Sequence, residues 1–181
     1  MLKDKVPISV GQDGQALATL KAKAFPFASV APRAADVLRA GARPISGGAF
    51  SALHGACLVG SVALWPILLH TSTQSVPLTL LGPLMVDPDR QGSGLGSQLM
   101  ATALDFADAQ ALPPVMLVGD MGYYERFGFS NALTQQWTVP GVAAAERVLL
   151  RQAPHAQAPL TAMAAQVLPA FAPPCGKQAA A

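Results

Sequence analysis

Short apolar runs of strand character, separated by turn residues, dominate the first half of this 181-residue chain, and one strong helical stripe marks its centre. Residues 6–10 form a short strand candidate stopped by Gly11. Asp13 is placed to cap a helix over 15–25, with Leu17, Leu20, Ala24 and Phe25 on its apolar face and Pro26 at its end. A second, shorter helix is predicted over 34–40, with Gly41 as its stop. Runs 50–53 and 58–69 read as antiparallel strands joined around His54-Gly55-Ala56, and a polar connector follows at 71–75. The run 78–86 is largely apolar but broken by Gly82-Pro83. Proline cannot donate to a ladder, so this pair marks a bulge or a splay, with a plain surface loop as the alternative.

The next element is tested by arithmetic. At 100° per residue Leu95, Leu99, Ala103 and Phe106 share one arc, which Gly96, Met100, Leu104 and Ala107 extend. Ser97, Gln98, Thr102, Asp105 and Asp108 fall opposite. This helix therefore lays one broad face on a sheet. Leu112-Pro113-Pro114 ends it, and 115–118 is a short buried strand. Strand, helix and strand make a right-handed crossover, so 78–86 and 115–118 should be parallel neighbours. Runs 133–139 and 147–151 are further strand candidates, and 160–168 is a candidate apolar helix. The expectation is an α/β fold: one domain over 1–153 with a mixed, twisted sheet of about six to seven strands, flanking helices and splayed central parallel strands. An Ala/Pro-rich tail over 154–181 would pack on the same domain. The sequence carries no internal repeat.

Composition narrows the classes of partner. Hydrophobic residues make up 51% of the chain and charged residues 12%, so Ala, Gly, Ser, Thr and Gln must cover much of the surface. Such a surface suits contact with a second subunit as readily as a monomer, which makes a homodimer one expectation. A net charge of +2 without any basic run argues against nucleic acid and against an anionic membrane. Cys57 and Cys175 stand alone, as free thiols in a reducing cytosol do. The apolar stretch 57–69 is too short to span a bilayer and is interrupted by Gly60, Ser61 and Pro66. The opening Met1-Leu2-Lys3-Asp4-Lys5 has no hydrophobic signal region behind it. A soluble cytoplasmic protein is expected.

The chemistry concentrates in Leu84-Met85-Val86-Asp87-Pro88-Asp89-Arg90-Gln91-Gly92-Ser93-Gly94-Leu95-Gly96-Ser97. An apolar strand runs through a turn and a glycine-rich crook into a helix N-terminus. Glycines let a ligand approach the main chain, and the helix start offers unpaired N–H groups at its positive pole. That combination suits a phosphate or pyrophosphate. A nucleotide-triphosphate loop would need a closing Gly-Lys-Ser/Thr, which is missing. A dinucleotide fingerprint would need a third glycine where Ser97 stands. Asp120, after the run 115–118, lies roughly where a ribose-binding acid would sit. A nucleotide-dependent oxidoreductase fragment and a plain helix-start turn therefore both stay open at this point.

Read as Gln91-x-x-Gly94-x-Gly96 after Val86-x-Pro88, the segment resembles the acetyl-coenzyme-A-binding motif of the GNAT N-acetyltransferases. Downstream, Tyr123-Tyr124-Glu125-Arg126-Phe127-Gly128-Phe129 resembles that family's Tyr-x-x-x-Gly-Phe element. The two stand in the family's order, separated by a helix and a strand, and the resemblance covers roughly 49–139. It is closest to the branch whose last motif reads Gly-Asp-x-x-Tyr-Tyr-x-Arg-Phe-Gly-Phe, here from Gly119-Asp120 onward. The resemblance implies acetyl-CoA as co-substrate, held by Leu84, Met85, Val86, Gln91, Gly92, Ser93, Gly94, Leu95, Gly96 and Ser97. The pantetheine arm would lie between the diverging strands, with no metal involved. It implies Tyr124 as the acid that protonates the leaving thiolate, a backbone N–H near Met85 or Val86 as oxyanion donor, and a small-molecule or peptide amine as acceptor. Tyr123, Phe127 and Phe129 are expected in the core.

Family members often carry a glutamate base on the diverging strand, and positions 78–86 contain no carboxylate. His54, His70 and Asp120 are the alternative bases; a water relay, or an amine that arrives neutral, needs none. Arg90 is either a phosphate contact or a solvated turn residue. The two N-terminal helices, which in the family form one wall of the acceptor site, are short here. An acyl-CoA-binding module without catalysis is the second reading.

Overall fold

The computed structural model describes residues 6–11, 13–26, 34–153 and 160–170. Helix α1 (Gly14–Ala24) starts at Asp13, whose carboxylate accepts from the amides of Gln15 and Ala16, and α2 spans Ala34–Leu38. Strand β1 (Ile8–Val10) precedes both helices, and β2 (Ala49–His54) and the long β3 (Cys57–His70) follow them. The expected 78–86 strand is divided into β4 (Ser75–Leu81) and β5 (Met85–Val86) around Gly82-Pro83. Helix α3 (Leu95–Ala109) and strand β6 (Val115–Val118) follow.

Strand order is β1-β2-β3-β4-β6-β8, with β8 at Val148–Arg151. The sheet is mixed. Strands β4 and β6 are parallel neighbours, as the crossover argument requires, but pair only through Thr79 with Val115 and Leu80 with Met116. Beyond that point β5 stays on β3, through Met85 with Ser61 and Val86 with Gly60, and β4 and β6 part company.

Two expectations are corrected. The segment 160–168 is not a helix: Ala165–Pro169 is strand β9, antiparallel to β3 through Ile67–His70. Only Trp137–Thr138 (β7) of the run 133–139 is strand, parallel to β9. Nine strand segments result among the described residues, more than the six or seven expected, because Gly82-Pro83 divides one and the tail adds another. Residues 154–159 and 171–181 of the tail lie outside the described residues, Cys175 among them.

Period-2 alternation builds a core on each face. Val115 and Leu117 of β6 join α3 residues Leu95, Leu99, Met100 and Ala103 on one side. Met116, with Leu78, Leu80, Leu150 and Leu38 of α2, faces the other. A sheet covered on both faces reads as near-continuous apolar runs, which is the pattern of 115–118 and, buried Thr79 apart, of 78–81. Among the described residues no helix is long and apolar enough to cross a membrane.

Candidate active site

The parting of β4 and β6 opens a cleft of about 880 Å³. Leu81, Gly82, Pro83 and Leu84 line one side; Leu117, Val118, Gly119 and Asp120 line the other. Gly82 fixes the near wall. Its amide donates to the Ala63 carbonyl at 2.8 Å, and its carbonyl accepts from the Trp65 indole N–H at 2.7 Å. On β5 the Asp87 amide donates to the Val59 carbonyl, so strand alternation turns the Val86 N–H away from β3.

A second cavity of about 400 Å³ lies at the start of α3, lined by Val86, Arg90, Gln91, Gly92, Gly94, Leu95, Gly96, Ser97, Tyr123 and Arg126. Gly92 (φ 74°) and Gly94 (φ 91°) occupy the left-handed region, and a Cβ on either would point into open space. Local bonding sorts the loop amides. Gln91 donates to the Pro88 carbonyl, Ser93 to that of Arg90, and Leu95 to the Ser93 hydroxyl. Among the described residues the amides of Gly92, Gly94, Gly96 and Ser97 have no such partner. Four free N–H groups at the positive end of a 15-residue helix form a cradle for an anion.

Tyr123 lines both cavities, and Tyr124 lines the cleft. They sit on the short helix α4 (Met121–Tyr124), capped by Asp120, whose carboxylate accepts from the Gly122 amide at 2.9 Å. The two rings meet edge to face at 4.8 Å, and Tyr124 packs on buried Phe129 at 6.2 Å. Gly119 makes room for Tyr124, because a Cβ there would lie 2.2 Å from its ring. Burial pushes the Tyr124 hydroxyl up to about 12; Tyr123 adds to the shift and Arg147 opposes it.

Sequence reasoning missed Arg126, although it stands inside the second motif. Its guanidinium stacks 4.3 Å over the Tyr123 ring and donates to the Ser97 hydroxyl at 3.1 Å, which brings a cation to the α3 cradle. Arg90 lines the same cavity. Of the three candidate bases only Asp120 lines the cleft. His54 ends β2 at the β2–β3 turn, and His70 ends β3 beside Ser75, its partner at 3.0 Å. Phe129 is core, as expected, whereas Tyr123 and Phe127 are only partly buried. Among the described residues no group of three His, Cys, Asp or Glu could hold a metal.

The comparisons with known proteins agree with this geometry. No curated protein matches the chain in sequence. A GNAT family N-acetyltransferase of Escherichia coli, solved with CoA, is similar over 90% of this chain and 89% of its own, at 22% identity and a TM-score of 0.67. A GNAT family acetyltransferase of Brucella melitensis, solved with acetyl-CoA, is 26% identical over 70% of this chain and 83% of its own, with a TM-score of 0.55. An Arabidopsis thaliana structure holding the bisubstrate analogue CoA-Ac-MVNAL is 18% identical, covers 81% of this chain and 98% of its own, and has a TM-score of 0.51. The sequence profile of the Acetyltransferase (GNAT) family matches residues 15–129, well over half the chain. With a glycine cradle at one end of a splayed sheet and a tyrosine pair at the junction, this chain belongs to the GNAT acetyltransferase family.

Proposed function

We propose that the protein transfers the acetyl group of acetyl-CoA to a primary amine by direct attack, with Tyr124 protonating the leaving thiolate. One observation carries the reading: the anion cradle and the cleft meet at Tyr123, beside Tyr124 on the cleft side. A ligand with its phosphates at one end and its reactive thioester at the other would therefore span both. The residues present fit acetyl-CoA. The free amides of Gly92, Gly94, Gly96 and Ser97, with Arg126 and Arg90, would hold the pyrophosphate, and Leu84, Met85 and Val86 would flank the arm beside the splay. Gln91, Ser93 and Leu95 shape that loop with their own amides already engaged.

At the reacting centre the outward Val86 N–H is the oxyanion donor, in preference to Met85, whose register pairs it with Ser61. The amine nitrogen forms its bond to the carbonyl carbon, the carbon–sulfur bond breaks, and the sulfur takes the Tyr124 proton. The amine's surplus proton leaves to solvent, and Tyr124 regains its proton from solvent, so the cycle closes with no net change in protons. A hydroxyl near 12 stays protonated at working pH and so always offers a donor. The apolar cleft that raises it also raises the proton affinity of a thiolate formed there, which narrows the gap between them.

Tyr124→Phe tests this. It keeps the packed ring and removes the proton, so kcat for thiol release should fall by ~10²–10⁴-fold while acetyl-CoA affinity by calorimetry changes little. Equal loss of both would mark a structural tyrosine. Unchanged turnover would place the acid elsewhere or leave it to solvent, and a wild type that binds acetyl-CoA without turnover would leave an acyl-CoA-binding role.

A further inference from the structure

We infer that the acceptor carries a carboxylate, and that Arg147 is the residue that selects it. The inference rests on the acetyltransferase reading above and adds the substrate class.

The positive charges around the two cavities are divided between their ends. Arg90 and Arg126 line the phosphate cradle and not the cleft, whereas Arg147 lines the cleft and not the cradle. Arg147 follows the loop 141–144, directly before β8. Its carbonyl accepts from the Gly119 amide at 2.9 Å, which fixes its backbone beside the β6 end of the splay. Its side chain is exposed and makes no ion pair among the described residues. Its charge is felt at the Tyr124 hydroxyl, where it opposes the effect of burial. The guanidinium therefore stands near the reacting end without an ion-pair partner among the described residues.

The rest of that end is apolar and small. Ala34 and Ala35 of α2 and Phe25 form one wall, and Val142, Ala143 and Ala144 belong to the loop leading to Arg147. Asp120 is the one other charged lining residue, and its carboxylate already caps α4. A polycationic acceptor would find a single, partly engaged carboxylate opposed by an arginine. An acceptor with an apolar body, an amine and a carboxylate would find a matching surface for each part. Arginine binds a carboxylate through two parallel N–H donors, so the match also fixes the orientation of the amine. A cleft of about 880 Å³ shared with a pantetheine arm leaves room for a small molecule. A small apolar amino acid meets all three demands.

The test pairs each acid with its amide: L-leucine with L-leucinamide and L-phenylalanine with its amide, in a thiol-release assay with saturating acetyl-CoA. The two members differ in intrinsic amine basicity, so the quantity read is the acid-to-amide ratio of kcat/KM, compared between variants. That ratio should fall at least tenfold in Arg147→Ala, through KM of the acid, and recover in part in Arg147→Lys. 4-Methylpentanoate, which lacks the amine, should inhibit wild type competitively against the acceptor, and its effect should vanish in Arg147→Ala. A ratio unchanged by Arg147→Ala, an equal loss for acid and amide, or turnover of the amides alone overturns the inference. So does a wild type that binds acetyl-CoA by calorimetry but acetylates neither member of any pair. Failure to bind acetyl-CoA at all sinks the acetyltransferase reading instead.

Discussion

Adding one methyl group at Gly119 should disable the site without touching its hydroxyl. Gly119 is buried, and its backbone lies outside the left-handed region, so alanine is conformationally acceptable there. The obstacle is steric. A Cβ would sit 2.2 Å from Tyr124 Cε2, 2.8 Å from Cδ2 and 3.2 Å from Leu117 Cδ1, where ordinary contact begins at 3.4 Å. The Tyr124 ring must therefore retreat by about 1.2 Å. It is confined by Tyr123 on one side and Phe129 on another, so it cannot simply swing away. A displacement of roughly 1 Å at a reacting group costs on the order of 10²-fold in rate. Overpacking of this kind costs about 1–3 kcal/mol in stability, which for a chain this long lowers Tm by a few degrees for each kcal/mol. Gly119→Ala should thus fold, bind acetyl-CoA in calorimetry nearly as well as wild type, and lose roughly 10²-fold in kcat. In a Tyr124→Phe background the same methyl should add little, because the group it displaces no longer carries the proton. A folded Gly119→Ala protein with kcat within about twofold of wild type would refute the assignment of Tyr124.

Further outcomes follow from the same geometry. A Cβ at Gly96 would stand 2.9 Å from the Tyr123 hydroxyl and 3.6 Å from Val86, so Gly96→Val should weaken acetyl-CoA binding by more than tenfold, about 1.4 kcal/mol, in calorimetry. Unchanged affinity would show that the cradle lies elsewhere. Folded Tyr124 keeps its proton to about pH 12, whereas an unfolded tyrosine loses it near its ordinary value of 10.0. Stability contributed by the protonated form is therefore intact below pH 10 and is lost as pH rises towards 12, by up to about 2–3 kcal/mol. Tyr124→Phe should flatten that alkaline slope in denaturant titrations, and the rate profile should show no falling limb from Tyr124 below pH 10. Arg151 at the end of β8 holds Asp108 of α3 through two bonds of 2.8 and 2.6 Å. Arg151→Ala should cost about 1 kcal/mol, near the top of the range for partly exposed pairs, and lower Tm by roughly 2–4 °C; no shift would mean that the pair is screened away.

The sequence by itself determined every element whose cause is local. Asp13 caps α1 with its own carboxylate two and three residues on, the stripe of α3 repeats at helical period, and the glycines of the cradle act through their own φ. The parallel neighbourhood of β4 and β6 was legible too, because the chirality of a strand–helix–strand unit leaves few alternatives. Partners distant in the chain decided the remainder. Residues 165–169 are apolar enough for a helix, yet β9 is strand because Ile67–His70, about a hundred positions earlier, offer an open edge. The run 133–139 is mostly turn, since Thr134 spends its amide on Asn131 and its hydroxyl on the Val148 carbonyl. At the site, the motif located Tyr124 and the cradle. It could not reveal the space Gly119 leaves for the ring, the stacking of Arg126 on Tyr123, or Arg147 in the cleft. Periodicity and spacing report bonds between near neighbours. A side chain's distance from a cleft depends on how β4, β6 and β8 pack together, and only the tertiary structure sets that.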